Sequence, residues 1–167
     1  LADMWRQTEA IRYFRKALEI APRFENAQDN LLLNLLYDPN ATEASLFLES
    51  RACEKQLSPP SAQADHNNVR QPDRPLHIGY VSPDFRTHSC AYFLEALFRH
   101  HDRLQFVIFA YANVAQPDNT SGRFQEMADH WHDISGMSDE AAVQLIGANK
   151  IDILVDLAGR SKNHRLG

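Results

Sequence analysis

Two hydrophobic rhythms divide the chain. Up to about residue 57 the apolar positions recur at helical spacing, whereas from Leu76 onward short continuous apolar runs alternate with helical stretches. Thr8 to Ala21 puts Ala10, Phe14 and Ala17 along one side and meets Pro22 just past its end, the pattern of a helix that stops there. Glu25 to Tyr37 predicts a second helix, and leucines on more than one of its faces predict burial between neighbours. Asp38-Pro39-Asn40 breaks it. Thr42 is placed as the N-cap of a third, amphipathic helix to Gln56 through Leu46, Phe47 and Ala52, read as a capping helix.

Ser58 to Pro75 carries four prolines and almost nothing apolar, so residues 58–75 read as an exposed linker, with His66 solvated in it. Beyond it the pattern predicts strands at Leu76–Ser82, Phe106–Ala112, Trp131–Ile134 and Ile151–Gly159. Between them fall helices at Ala91–His100, packing through Phe93, Leu94, Leu97 and Phe98, at Thr120–Asp129, and from a Ser138 cap to Ala148. Apolar strands separated by helices of about ten residues predict a parallel sheet covered on both faces. The fold class expected is therefore mixed: an all-α segment over residues 1–57, the linker, and an α/β, Rossmann-like half over 76–167. The Ala and Phe positions of the first helix, with Pro22, match the second helix of a tetratricopeptide (TPR) repeat, where small residues let helices approach. One repeat cannot bury its own apolar face, which implies further repeats upstream.

Composition narrows the function classes. With 44% hydrophobic and 23% charged residues, the 167-residue chain is of the soluble globular class. A net charge of −5 and no basic stripe argue against nucleic-acid binding. No run approaches a membrane span. The start has no signal-peptide pattern and no initiator Met, so a missing or trimmed N-terminus and a cytoplasmic location are expected. Cys53 and Cys90, without metal-type spacing, are expected as thiols in a reducing compartment.

In an open α/β sheet, ligands bind beyond the carboxyl ends of the strands. Two loops on that edge carry chemistry: Ser82 to His88 after the first strand and Ala158 to His164 after the fourth. His88 can act as a base or donate to a phosphate oxygen, since imidazole titrates near neutrality, or it can simply cap the next helix. Asp84 can orient a ligand hydroxyl or His88, or form a turn. Gly159 allows close ligand approach or supplies positive φ. Lys162 and Arg160 can neutralise phosphates or stay solvated. His100 and His101 suit a helix C-terminus. His130 and His132 share one strand face as metal ligands do, but no third ligand follows, so no metal site is expected. HExxH, GxSxG, CxxC pairs, the P-loop and GxGxxG are absent, which disfavours dinucleotide oxidoreduction.

The ordered segments NLLLNLLYDPNATEASLF, HIGYVSPDFRTHSCAYFLEALF, FVIFAYANV and IDILVDLAGRSKNHRLG resemble the TPR-containing O-linked N-acetylglucosamine transferases, which include the SPINDLY-like enzymes, and are most similar to bacterial members. The resemblance implies a GT-B glycosyltransferase, two Rossmann-like domains facing a cleft, with TPR helices delivering a protein acceptor. His88 would be the active-site histidine of the family's DFxxH pattern, with Ser82 and Asp84 in the same motif and Gly159 facing the cleft. It also implies UDP-GlcNAc as donor, GDP-fucose as the variant of the SPINDLY-like branch, and no metal or other cofactor. Arg160 and His164 depart from the usual residues of their loop. The stretch to Gly167 carries only the first of the two Rossmann-like domains that the resemblance implies, so by itself it is expected to be inactive; the alternative is a TPR-type scaffold without activity.

Overall fold

The computed structural model describes residues 6–54, 68–71, 73–159 and 165. They divide into a helical unit and an α/β unit. Trp5 and His66 lie outside the described residues.

The helical unit holds α1 (Gln7–Ile20), α2 (Glu25–Leu35) and α3 (Glu43–Glu54). Ile11, Leu31 and Leu35 form its core, with Phe14, Leu18 and Leu46 packed around them. Ala10 is buried, as its spacing predicts. The Thr42 cap is reciprocal: Thr42 Oγ1 accepts from the Ser45 N–H at 3.2 Å, and Ser45 Oγ accepts from the Thr42 N–H at 2.9 Å. The leucine-rich second helix is buried on one side only. Leu33, Leu36 and Tyr37 are exposed, because the packed neighbours cover the Leu31–Leu35 side and, among the described residues, nothing covers the other.

The α/β unit is built on β1 (Leu76–Ser82), β2 (Phe106–Ala112), β3 (His130–Asp133) and β4 (Ile153–Asp156), with α4 (Ser89–His100), α5 (Asn119–Met127) and α6 (Asp139–Ala148) between them. All pairings are parallel and the strand order is β3-β2-β1-β4. On one face Ile78, Tyr80, Ile108 and Ala110 pack against Leu94 and Phe98 of α4 and Phe124 of α5. On the other, Val81, Phe109 and Tyr111 meet Leu145 and Ile146 of α6. This is the doubly wound arrangement expected. Gly79 in β1 is required by the second face, where an added Cβ would lie 3.0 Å from both Leu154 Cδ1 and Tyr111 Cε2.

Two expectations about packing differ. Phe93 and Leu97 were placed in the interface of α4 but are 79% and 42% exposed. At 3.6 residues per turn, Ala91, Leu94 and Phe98 share the sheet-facing stripe, and Phe93 with Leu97 falls about 110° round the helix, on its flank. The fourth strand is also shorter than the apolar run and lies at the sheet edge, leaving Ile153 and Leu154 about half exposed. Asp152, just before it, serves another purpose. Its carboxylate takes two hydrogen bonds from Arg74, at 2.7 and 2.6 Å, and others from Asn68 at 2.8 Å and the His77 N–H at 2.9 Å. Asn68 and Arg74, near the end of the segment read as an exposed linker, are thereby tied to the sheet.

Candidate functional site

The strand order makes β1 and β4 the switch point. The chain leaves β1 towards β2 and β3, then returns to the opposite side of β1 to form β4, so the loops after β1 and β4 diverge and leave a crevice at their carboxyl ends. Both chemistry-rich loops named from the sequence emerge there.

The loop after β1 is anchored from below. Ser82, fully buried, accepts the Asp84 N–H on its Oγ at 3.0 Å, closing the turn. Phe85, also fully buried, inserts between Phe98, Phe124 and Trp131 with ring centroids 5.1–5.7 Å away. That anchor leaves Asp84 at 7% exposure, its carboxylate pointing at two cationic or basic neighbours. Oδ1 lies 3.6 Å from an Arg86 guanidinium nitrogen, and Oδ2 lies 3.5 Å from His88 Nδ1. His88 is also the N-cap of α4, Nδ1 accepting the Cys90 N–H at 3.3 Å. Both readings of His88 therefore meet in one side chain: it caps the helix and stands beside Asp84 on the ligand edge. With Nδ1 accepting, the ring proton is assigned to Nε2, which has no partner among the described residues and faces outward on a side chain 36% exposed.

The loop is held from the side as well. Asp118, before α5, accepts the Thr87 N–H on Oδ2 at 2.8 Å while Oδ1 takes the N–H groups of Thr120 and Ser121. These donors, those of Thr87 foremost, hold its carboxyl well below the usual carboxylate range. Thr87 Oγ1 and Thr120 Oγ1 add a 3.1 Å bond. Asp118 also borders a cavity at the carboxyl ends of β2 and β3, lined further by Val114, Ser121, Trp131 and Asp133. Sequence reasoning passed over Asp118 because its loop showed only turn residues; the signal was Asp-x-x-Ser ahead of a helix, a capping box.

After β4, Gly159 has φ +55° and donates its N–H to Asp156 Oδ1 at 2.6 Å, joined there by the Ala158 N–H at 3.1 Å. Its Cβ position is open, so backbone conformation is the reason for glycine here. Lys162, with Arg160 and His164, lies outside the described residues. Arg165, also missed, donates to the carbonyls of Ile134 and Met137 at 2.8 Å and to Asp139 at 2.8 Å, bringing the chain back to the same edge. Among the described residues, the other histidines named from the sequence make packing and hydrogen-bond contacts. His101 Nε2 meets the Tyr80 hydroxyl at 2.9 Å, and burial lowers its pKa. His130 stacks on Phe109 at 4.4 Å, while His132 stacks on Tyr111 at 5.3 Å and meets Asn149 Nδ2 at 3.0 Å.

Fold and site together define a Rossmann-like unit that presents a polar, histidine-bearing loop at its ligand edge. The chain belongs to glycosyl transferase family 41, whose model matches residues 41–166. It is 36% identical over 162 residues to the rice probable UDP-N-acetylglucosamine–peptide N-acetylglucosaminyltransferase SPINDLY, covering 94% of this chain and 18% of that protein. Similarity extends to the Caenorhabditis elegans UDP-N-acetylglucosamine–peptide N-acetylglucosaminyltransferase, 29% identical over 127 residues, 75% of this chain and 11% of the relative. A solved mutant of the Thermobaculum terrenum O-GlcNAc transferase superposes with a TM-score of 0.84 at 28% identity, covering 96% of this chain and 31% of that one. The chain thus spans less than a fifth of the length of these curated relatives. Among the described residues, no helix is long and apolar enough to cross a membrane.

Proposed function

We propose that these residues serve a protein O-glycosyltransferase that moves N-acetylglucosamine from UDP-GlcNAc to Ser or Thr hydroxyls. In this reading they form the first Rossmann-like half of a longer, cytoplasmic GT-B chain, and the stretch by itself does not complete the reaction. The observation that carries it is the placement of His88 and Asp84 at the β1/β4 switch point of a family 41 chain. Since Nδ1 accepts from Cys90, Nε2 presents a proton, which suits a hydrogen bond to a donor oxygen. Such a fixed donor stabilises charge that develops as the nucleotide leaves, without reorganisation at the moment of reaction. Ser82 and Asp84 hold that geometry, Gly159 borders the substrate from the β4 side, and Lys162 has the role of neutralising the donor's phosphates. The helical unit, of TPR type, presents the protein acceptor.

The test is transfer of labelled N-acetylglucosamine from UDP-GlcNAc to protein by the native gene product carrying these residues. His88→Ala lowers the rate by roughly 10²–10⁴-fold, the range of a positioned proton-transfer or hydrogen-bonding group. Transfer only from GDP-fucose reassigns the donor. Unchanged transfer in His88→Ala removes the role of His88, and no transfer from either donor leaves a protein-binding scaffold.

A further inference from the structure

The loop after β1 gathers three metal-ligating side chains of different chemistry. The carboxylate of Asp84, the imidazole of His88 and the thiol of Cys90 place one ligand atom each within 4.8 Å of one another. In the linear sequence neither the His130/His132 pair nor Cys53 and Cys90 shows the spacing of a metal site. What linear spacing hid is a turn: Asp84 lies in the loop, His88 caps α4 and Cys90 sits in its first turn, so an Asp-x-x-x-His-x-Cys stretch folds back on itself.

The geometry points to a site for one borderline-soft divalent cation, Zn²⁺ or Co²⁺, bound by Asp84 Oδ2, His88 Nδ1 and Cys90 Sγ. Three relationships support it. First, tetrahedral zinc with N, O and S ligands sets its donors roughly 3.3–3.6 Å apart, and His88 Nδ1 already stands 3.5 Å from Asp84 Oδ2. The thiol, on a partly buried side chain packed at the edge of the core, has about 1 Å to close by a change of χ1. Second, with Nδ1 accepting the Cys90 N–H, it stands 3.5 Å from Asp84 Oδ2 as a second acceptor with no hydrogen between the two. A cation there relieves that opposition, and the competing cation, Arg86, stands nearer the other oxygen, Oδ1. Third, Asp84 is fixed on a rigid support, by the Ser82 turn and the Phe85 anchor, while the half-exposed His88 leaves a path for entry and a fourth position for water.

Mixed His, Cys and carboxylate donors favour zinc-like ions over Mg²⁺ or Ca²⁺, which take oxygen ligands. Binding releases the thiol proton to solvent, replaces the long Cys90 N–H bond with a coordination bond and changes no oxidation state. The site stands on its own geometry. Only its consequence rests on the glycosyltransferase reading: a cation on Nδ1 leaves the Nε2–H of the candidate active-site histidine free to donate and makes it more acidic, so the ion tunes that group rather than supplying chemistry of its own.

Chelator-treated, reduced protein titrated with Co²⁺ tests the site without any activity assay. One Co²⁺ per chain is expected, with a thiolate-to-cobalt charge-transfer band that Zn²⁺ abolishes by displacement. Cys90→Ser loses the band and Cys53→Ser keeps it; Asp84→Asn weakens binding by about tenfold or more. No band, or a band that survives Cys90→Ser, overturns the proposal. Because a variant can fail to fold, wild-type protein alkylated with and without Zn²⁺ gives an independent reading: Cys90 is protected by the ion, and equal labelling overturns the site.

Discussion

Asp118 accepts the Thr87 N–H at 2.8 Å across 31 residues of sequence, binding the loop that carries His88 to the start of the next helix but one. The same carboxylate caps α5, so a single side chain sets both the position of the loop and the beginning of the helix beside it. Asp118→Asn keeps the shape but leaves one neutral acceptor where the carboxylate has two, so an amide NH2 faces the Thr87 N–H when the carbonyl keeps the cap. Amide exchange at Thr87 is expected to quicken by about an order of magnitude, with exchange in the β1 ladder unchanged. Equal protection of Thr87 in the variant would show that the contact does not hold the loop.

Phe85 tests the anchor from below. Its ring is fully buried among three aromatic neighbours, so Phe85→Ala removes packing and leaves a cavity, for a loss of about 3–5 kcal/mol in urea unfolding. Phe85→Leu, which refills most of the space, is expected to lose far less. A loss below about 1 kcal/mol for the alanine variant would mean that the loop does not depend on this side chain.

Gly79 marks the reverse problem, excess volume. A methyl group there presses on the Tyr111 ring, Leu154 and Ile151 from 3.0 to 3.2 Å, so Gly79→Ala forces the second face apart. Overpacking of this kind destabilises by about 1–3 kcal/mol, read as a lower denaturant midpoint. A variant as stable as the parent would show that β4, an edge strand, yields freely.

His132 on β3 makes stability depend on pH. Burial, and secondarily the charge of His130, lower the pKa of His132 in the folded chain. The unfolded chain then binds a proton more readily, so this contribution is complete above about pH 6.5 and is lost as pH falls through the lowered value. His132→Gln is expected to flatten the fall in thermal midpoint between about pH 7 and 5. An unchanged slope would place the titrating group elsewhere.

The two longest strands were legible because continuous apolar runs ended at turn residues, and Leu76–Ser82 and Phe106–Ala112 appear with the bounds expected. The Ser138 cap was legible for the same local reason. Facing was harder to read. Phe93 and Leu97 are as apolar as Leu94 and Phe98, and only the phase of the helix against the sheet decides which pair is buried. His88 and Asp84 could be named because they stand on the ligand edge of any such sheet, but their partners could not. Asp118, Arg165 and the Asp152 cluster act through separations of tens of residues, which periodicity does not record.

β1 and β2 run in register over all seven residues and end level, Ser82 opposite Ala112, with the Asn113 N–H continuing the ladder to the Ser82 carbonyl at 2.9 Å. Length, more than composition, is therefore what this edge depends on. One residue inserted into β1 would carry the following loop about 3.3 Å past its neighbour and turn each later side chain to the opposite face, parting Thr87 from Asp118 and drawing Phe85 out of its socket. The loop can accept new residue types at Arg86 or Ser89, both exposed, far more readily than it can accept one residue more before it.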